Sequence, residues 1–156
     1  SYDGLGSNNG VYLLYLSIPI SELRESNLNE FEDVEVSKSE LLQDIVSICE
    51  KNKLPIKMRL HPSEKTEKIK NDFGSLLDKV ELSGQGIPLM DDIKNAKYVL
   101  GYRSSALVQA AVIGEKAISF SRSDFKDIFD WGKYGVYEYF GIHQCLNLEE
   151  LSKILI

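Results

Sequence analysis

Apolar residues fall along this chain in short solid runs separated by stretches of helical periodicity, the pattern of a parallel sheet wrapped in helices. The first run, Val11-Tyr12-Leu13-Leu14-Tyr15-Leu16-Ser17-Ile18, shows no polar alternation. It predicts a central strand covered on both faces, ended by Pro19. Residues 22–36 are acidic and weakly periodic and read as a loop with local helix. Ser39 is placed to cap a helix in which Leu41, Leu42, Ile45, Val46 and Cys49 recur at helical spacing. Pro55 opens a second strand, residues 56–60, with His61-Pro62 at its carboxyl end.

Residues 64–77 carry an apolar stripe of Ile69, Phe73, Leu76 and Leu77 and predict a surface helix interrupted near Gly74. A short strand at 80–82 leads into the turn Ser83-Gly84-Gln85-Gly86, and Pro88 can start a helix over 89–95. Tyr98-Val99-Leu100-Gly101 reads as a strand running straight into Ser104-Ser105, good N-cap residues for a small-residue helix over 106–113 closed by Gly114. Residues 116–120 form a further strand. The aromatic-rich segment 124–140 reads as a partly helical tail packed back on the domain. Asn147 with Glu150 three residues on predicts the cap of a last helix, 148–155. About five strands alternating with helices imply an α/β fold: a mostly parallel sheet with helices on both faces.

Composition narrows this picture. The chain has 156 residues, a size that suits one domain. Residues 1–10, rich in Gly, Asn and Ser, read as a flexible lead-in, and 11–156 as the domain. The net charge of −6 argues against a general nucleic-acid surface, so no nucleic-acid partner is expected. The chain begins at Ser1 and shows no signal peptide or apolar run long enough to span a bilayer. It is expected to be a soluble, cytoplasmic piece of a longer protein. Its two cysteines, Cys49 on a helix face and Cys145 in a terminal loop, read as reduced thiols rather than a disulfide framework.

In parallel sheets ligands sit beyond the carboxyl ends of strands, near the switch in strand order. His61, the turn Gly84 to Gly86 and the pair Ser104/Ser105 all fall just past predicted strand ends. They can therefore share one crevice. A strand feeding a helix start presents unpaired N–H groups, hydroxyls and the positive end of the helix dipole, a setting for phosphate. The same serines also read as simple caps. His61, held extended by Pro62, can donate to a phosphate or act as general acid, or equally be a surface histidine ahead of a helix-starting proline. Arg59 reads as a phosphate ligand or a solvated edge charge, and Asp91-Asp92 as the charged first turn of a helix. No Gly-x-Gly-x-x-Gly follows the first strand and no Walker-type loop is present. His143 and Cys145 are too few for a metal site.

Arg59-Leu60-His61-Pro62 resembles the His-Pro motif of bacterial sialyltransferases and polysialyltransferases, and Tyr102-Arg103-Ser104-Ser105 resembles their Ser-Ser/Thr motif. Gly86-Ile87-Pro88-Leu89 is similar to the segment that contacts the ribose or base in that family. The resemblance covers residues 11–120. It implies the carboxyl-terminal, CMP-sialic-acid-binding half of a GT-B enzyme, whose two Rossmann-like domains face each other across a cleft. Tyr2-Asp3-Gly4 resembles the acidic-acidic-Gly triplet that carries the catalytic base, with Asp3 in the base position and Tyr2 in place of the first acid.

On this resemblance His61 and Asp3 are catalytic. Arg59, Pro62, Gly84, Gly86, Ile87, Pro88, Tyr102, Arg103, Ser104 and Ser105 bind the donor. No metal and no cofactor are required beyond the CMP-sialic acid donor. The expected partners are a CMP-linked sugar, a surface glycan acceptor such as capsule or lipooligosaccharide, and an amino-terminal domain. Peripheral association of the longer protein with the inner membrane face is left open. Met90 stands where some relatives carry an acid. Teichoic-acid polymerases, which use CDP-linked donors, share the His-Pro and Ser-Ser pair. A nucleotide-binding module without chemistry is the alternative of a different class.

Overall fold

Strand β1, Tyr12–Leu16, is buried at every position, so each of its two faces needs its own helical cover. The computed structural model of the chain describes residues 10–17, 31–102, 105–114, 116–120, 135–145 and 147–155, with the backbone alone over 31–37. The further elements are α1 (Phe31–Lys51), β2 (Ile56–Arg59), α2 (Thr66–Phe73), a 3-10 turn (Gly74–Lys79), β3 (Glu81–Ser83), α3 (Leu89–Ile93) and β4 (Ala96–Gly101). After these come α4 (Ser105–Val112), β5 (Ala117–Phe120), α5 (Val136–Phe140), β6 (His143–Cys145) and α6 (Leu148–Ile154).

The strands form one six-stranded sheet in the order β3-β2-β1-β4-β5-β6. Every neighbouring pair is parallel, giving a Rossmann-like α/β fold. β1 lies between β2, with Leu13 opposite Ile56, and β4, with Leu14 opposite Val99. Strand order therefore reverses between β1 and β4.

Side-chain alternation divides the core into two layers. Leu13, Tyr15, Met58, Leu100, Ile118 and Cys145 pack against Leu42 and Ile45 of α1, Ile69 and Phe73 of α2, and Leu151 of α6. Tyr12, Leu14, Leu16, Val99 and Ala117 pack against Ile93 of α3, Leu107 and Ala110 of α4, and Tyr137 of α5. The two layers place α1, α2 and α6 on one face and α3, α4 and α5 on the other.

Several boundaries differ from the sequence reading. The sheet has six strands rather than about five and is wholly parallel. The sixth, β6, puts Cys145 in a strand opposite Phe120, fully buried, rather than in a terminal loop. At three residues, with His143 and Gln144 exposed, β6 carries too little apolar signal to be read in advance. α1 begins at Phe31, eight residues before Ser39, so Ser39 is interior to the helix and not its cap. The lead carries Glu32, Glu35 and Lys38, good helix formers, and holds no Gly or Pro to stop the helix that the apolar stripe defines. α2 ends at Phe73, and Gly74, at φ +55°, closes it by donating its N–H to the Lys70 carbonyl. The Asn147 cap forms as read, its side chain accepting the Glu150 N–H at 2.9 Å. Asp3, Arg103 and Ser104 lie outside the described residues, as does most of the aromatic segment. Among the described residues no helix is long and apolar enough to cross a membrane.

Candidate functional site

At its carboxyl end β2 extends the sheet beyond its own last residue. The Arg59 carbonyl accepts the Ser17 N–H at 3.0 Å, and the Leu60 N–H donates to the Ser83 carbonyl at 2.9 Å. The chain then reverses in a tight turn, with the Glu64 N–H donating to the His61 carbonyl at 2.9 Å. Pro62 occupies the second turn position, where its fixed φ costs nothing. The turn leaves His61, Pro62 and Ser63 exposed.

The His61 ring is held through Nδ1. The Ser63 N–H donates to it at 3.1 Å, and the Ser63 hydroxyl lies 2.7 Å away. A backbone N–H can only donate, so Nδ1 is an acceptor and the neutral ring carries its proton on Nε2. Below the turn, Glu64 accepts the His61 N–H on Oε1 at 2.9 Å. Its Oε2 accepts from Ser17 Oγ at 2.9 Å and from Lys38 Nζ at 3.2 Å. The side chains of Lys38 and Glu64 are each only 8% exposed. Burial, with Glu64 adding to it, pushes the Tyr15 phenol upward beneath this pair.

The neighbouring strand end forms a second cluster. Lys57 and Arg59 leave β2 on the face opposite Ile56 and Met58, where α3 brings Asp92 over them. Asp92 Oδ2 accepts from Arg59 Nη1 at 2.8 Å and from Ser83 Oγ at 2.6 Å, with Lys57 Nζ 3.5 Å from Oδ1. Its backbone carbonyl accepts from Tyr12 Oη at 2.6 Å. Arg59 is thus engaged by a buried carboxylate and is not a solvated edge charge, while Asp91 and Asp92 form the acidic first turn of α3 as read, with Asp92 buried.

Beyond β3 the chain runs through Gly84 at φ +131° and Gly86 at φ +86°, closed by the Ile87 N–H on the Gly84 carbonyl at 2.7 Å. Gly84 packs directly on the Leu60 backbone. This turn and the start of α2 enclose an open pocket of about 210 Å³ lined by Leu60, Thr66, Leu82, Ser83, Gly84, Gln85 and Ile87. Gln85 Nε2 donates to Thr66 Oγ1 at 2.7 Å across its rim. The pocket is smaller than the ~300–1,000 Å³ of whole-ligand sites and suits one ring or head group of a larger ligand. Pro88 precedes α3 in extended geometry, exposed.

On the far side of β1, Ser105 opens α4 with its side chain exposed. Tyr102, just before it, is buried in the layer beneath α1 and does not open onto the crevice. The carboxyl edge of the sheet thus carries His61, the Gly84–Gly86 turn with Ile87 and Pro88, and Ser105. His61 and Ser105 follow β2 and β4, the two strands that flank β1. The pocket lies on the β3 side of His61, away from Ser105.

Sequence reasoning missed Glu64, Lys38, Ser17 and Ser63 around the turn, and the role of Asp92 with Ser83. One signal was present: two cations at 57 and 59 on the same strand face call for a buried acid. No protein-family model matches this chain, and no curated protein matches it in sequence.

Proposed function

We propose that this chain is the donor-binding half of a glycosyltransferase of the bacterial sialyltransferase type. It would take a CMP-linked sugar and pass the sugar to a surface glycan. The observation that carries the reading is the His61 ring, whose Nδ1 is occupied by Ser63 and whose proton-bearing Nε2 takes no partner among the described residues at the sheet's carboxyl edge. Beside it, across β1, the start of α4 offers the exposed Ser105 hydroxyl and the positive end of the helix dipole at the point where strand order reverses.

The chemistry assigned to these residues is transfer from phosphate to an acceptor hydroxyl. As the bond between the sugar carbon and the phosphate oxygen breaks, charge builds on that oxygen. His61 Nε2–H donates to it, and the α4 start stabilises it through the helix dipole and the Ser105 hydroxyl. The acceptor hydroxyl attacks the sugar carbon and loses its proton to a carboxylate, a role given to Asp3 by resemblance alone. The small pocket at Gly84 to Ile87 suits the base or ribose. Two buried free thiols, Cys49 and Cys145, fit a reducing, cytoplasmic setting.

A titration of CMP, CDP, UDP and NAD against the chain tests this reading. Tighter binding of a cytidine nucleotide than of UDP or NAD supports it, and CDP ahead of CMP moves the donor to the CDP-linked class. UDP binding as well as or better than both cytidine nucleotides overturns the cytidine assignment.

A further inference from the structure

The Glu64 carboxylate touches both the His61 backbone and the elements behind it. Oε1 accepts the His61 N–H, and Oε2 gathers Ser17 from the end of β1 and Lys38 from α1. Lys38 is itself buried, with its ammonium 5.8 Å from the centre of the Phe73 ring. A salt bridge this buried is weak evidence of a stabilising role, because apolar replacement of both partners is often neutral or better. Stability alone therefore does not account for a carboxylate at this position. What an apolar pair cannot replace is the acceptor for the His61 N–H.

We propose that Glu64 is a positioning residue that fixes the His61 turn, and with it the direction of the ring's Nε2–H. The inference rests on the nucleotide-binding reading for its functional consequence, while its structural content can be read without ligand. With Oε1 on the backbone N–H and Ser63 on Nδ1, the residue is held at its backbone and at its ring, and among the described residues Nε2 is left to meet a phosphate. Lys38 holds the carboxylate in place at 3.2 Å, and Ser17 ties the assembly to β1, the strand beside the switch.

Paired variants separate positioning from stability. Glu64→Leu alone strands a buried ammonium and can fail to fold, so it is made with Lys38→Met, which removes that charge. Lys38→Met/Glu64→Leu is expected to fold with a Tm close to that of the unmodified chain. Its His61 ring ¹H–¹³C and ¹⁵N signals shift, and CMP binds roughly tenfold more weakly, the loss of one charge-assisted hydrogen bond, while cytidine binding does not move. Lys38→Met/Glu64→Gln, whose amide oxygen can still accept the His61 N–H, restores the ring signals and the CMP affinity. If the Leu pair keeps the ring signals and CMP affinity of the unmodified chain, Glu64 does not position His61. If the unmodified chain binds no CMP, the nucleotide reading fails by itself. Glu64 is then judged on the ligand-free ring signals, which support it by shifting in the Leu pair and recovering in the Gln pair, and overturn it by staying fixed.

Discussion

Arg59 and Asp92 meet at 2.8 Å under α3, joining the last residue of β2 to a carboxylate that is 1% exposed. The pair lies one residue from Leu60 in the pocket wall and two from His61, so the charge balance of the sheet's interior and the geometry of the site share one strand end. Replacing Asp92 by Ala leaves Arg59 and Lys57 without their buried counter-charge and Ser83 without its acceptor. Because Arg59 is 18% exposed and keeps some water, the expected loss is roughly 3 kcal/mol, at the low end for a broken buried pair. Urea denaturation of Asp92→Ala measures it, and a loss below about 1 kcal/mol would show that the cluster is not holding the strand end.

Gly84 is required by its backbone. At φ +131° a side chain is strained, and a Cβ there would sit 3.2 Å from the Leu60 carbonyl oxygen. Gly84→Ala is expected to cost about 1–3 kcal/mol and to narrow the pocket. The urea midpoint gives the cost, and a parallel weakening of CMP and cytidine would link the turn to the base or ribose.

The buried thiols predict an alkaline limit to stability. Burial pushes Cys49 up from 9.0 to about 12 and Cys145, with Glu150 adding to burial, up to about 11. Above pH 9 the unfolded chain releases these protons and the folded chain does not. The associated stability is complete below that point and is lost as pH rises toward 11–12. Each thiol contributes a slope approaching about 1.4 kcal/mol per pH unit. Urea midpoints across this range should fall, and Cys49→Ala should make the fall shallower.

Ser105 separates ligand binding from helix stability. Its side chain is exposed, so Ser105→Ala should change stability by no more than about 0.5 kcal/mol. Loss of a hydrogen bond to a charged phosphate, worth about 1.5–3 kcal/mol, would weaken CMP by roughly ten- to a hundredfold. A variant that loses Tm yet binds CMP unchanged would assign the hydroxyl to the helix alone.

Much of this architecture is legible in the sequence because it is local. The solid apolar run of Tyr12–Leu16 marks a strand buried on both faces, and Asn147 with Glu150 marks a helix start. β6 escapes because two of its three residues face solvent, and the start of α1 because its first turns lack an apolar stripe. The strand-end positions of His61, Gly84 and Ser105 follow from the same local signals. Their supports do not. Lys38 reaches Glu64 across 26 residues and Arg59 reaches Asp92 across 33, and contacts of that kind are set by how helices fold over the sheet. Leu60, though it lies between Arg59 and His61 in the motif, turns out to wall the pocket.

The central claim is that His61 meets a nucleotide phosphate at the sheet's carboxyl edge, and calorimetric titration of CMP and of cytidine into the unmodified chain and His61→Ala tests it most directly. CMP should bind at least about tenfold more tightly than cytidine, the scale of one hydrogen bond to a charged group. His61→Ala should lower that preference by roughly tenfold while leaving cytidine binding and Tm unchanged. Equal affinities for CMP and cytidine in the unmodified chain, or a preference for CMP that survives His61→Ala intact, would contradict it.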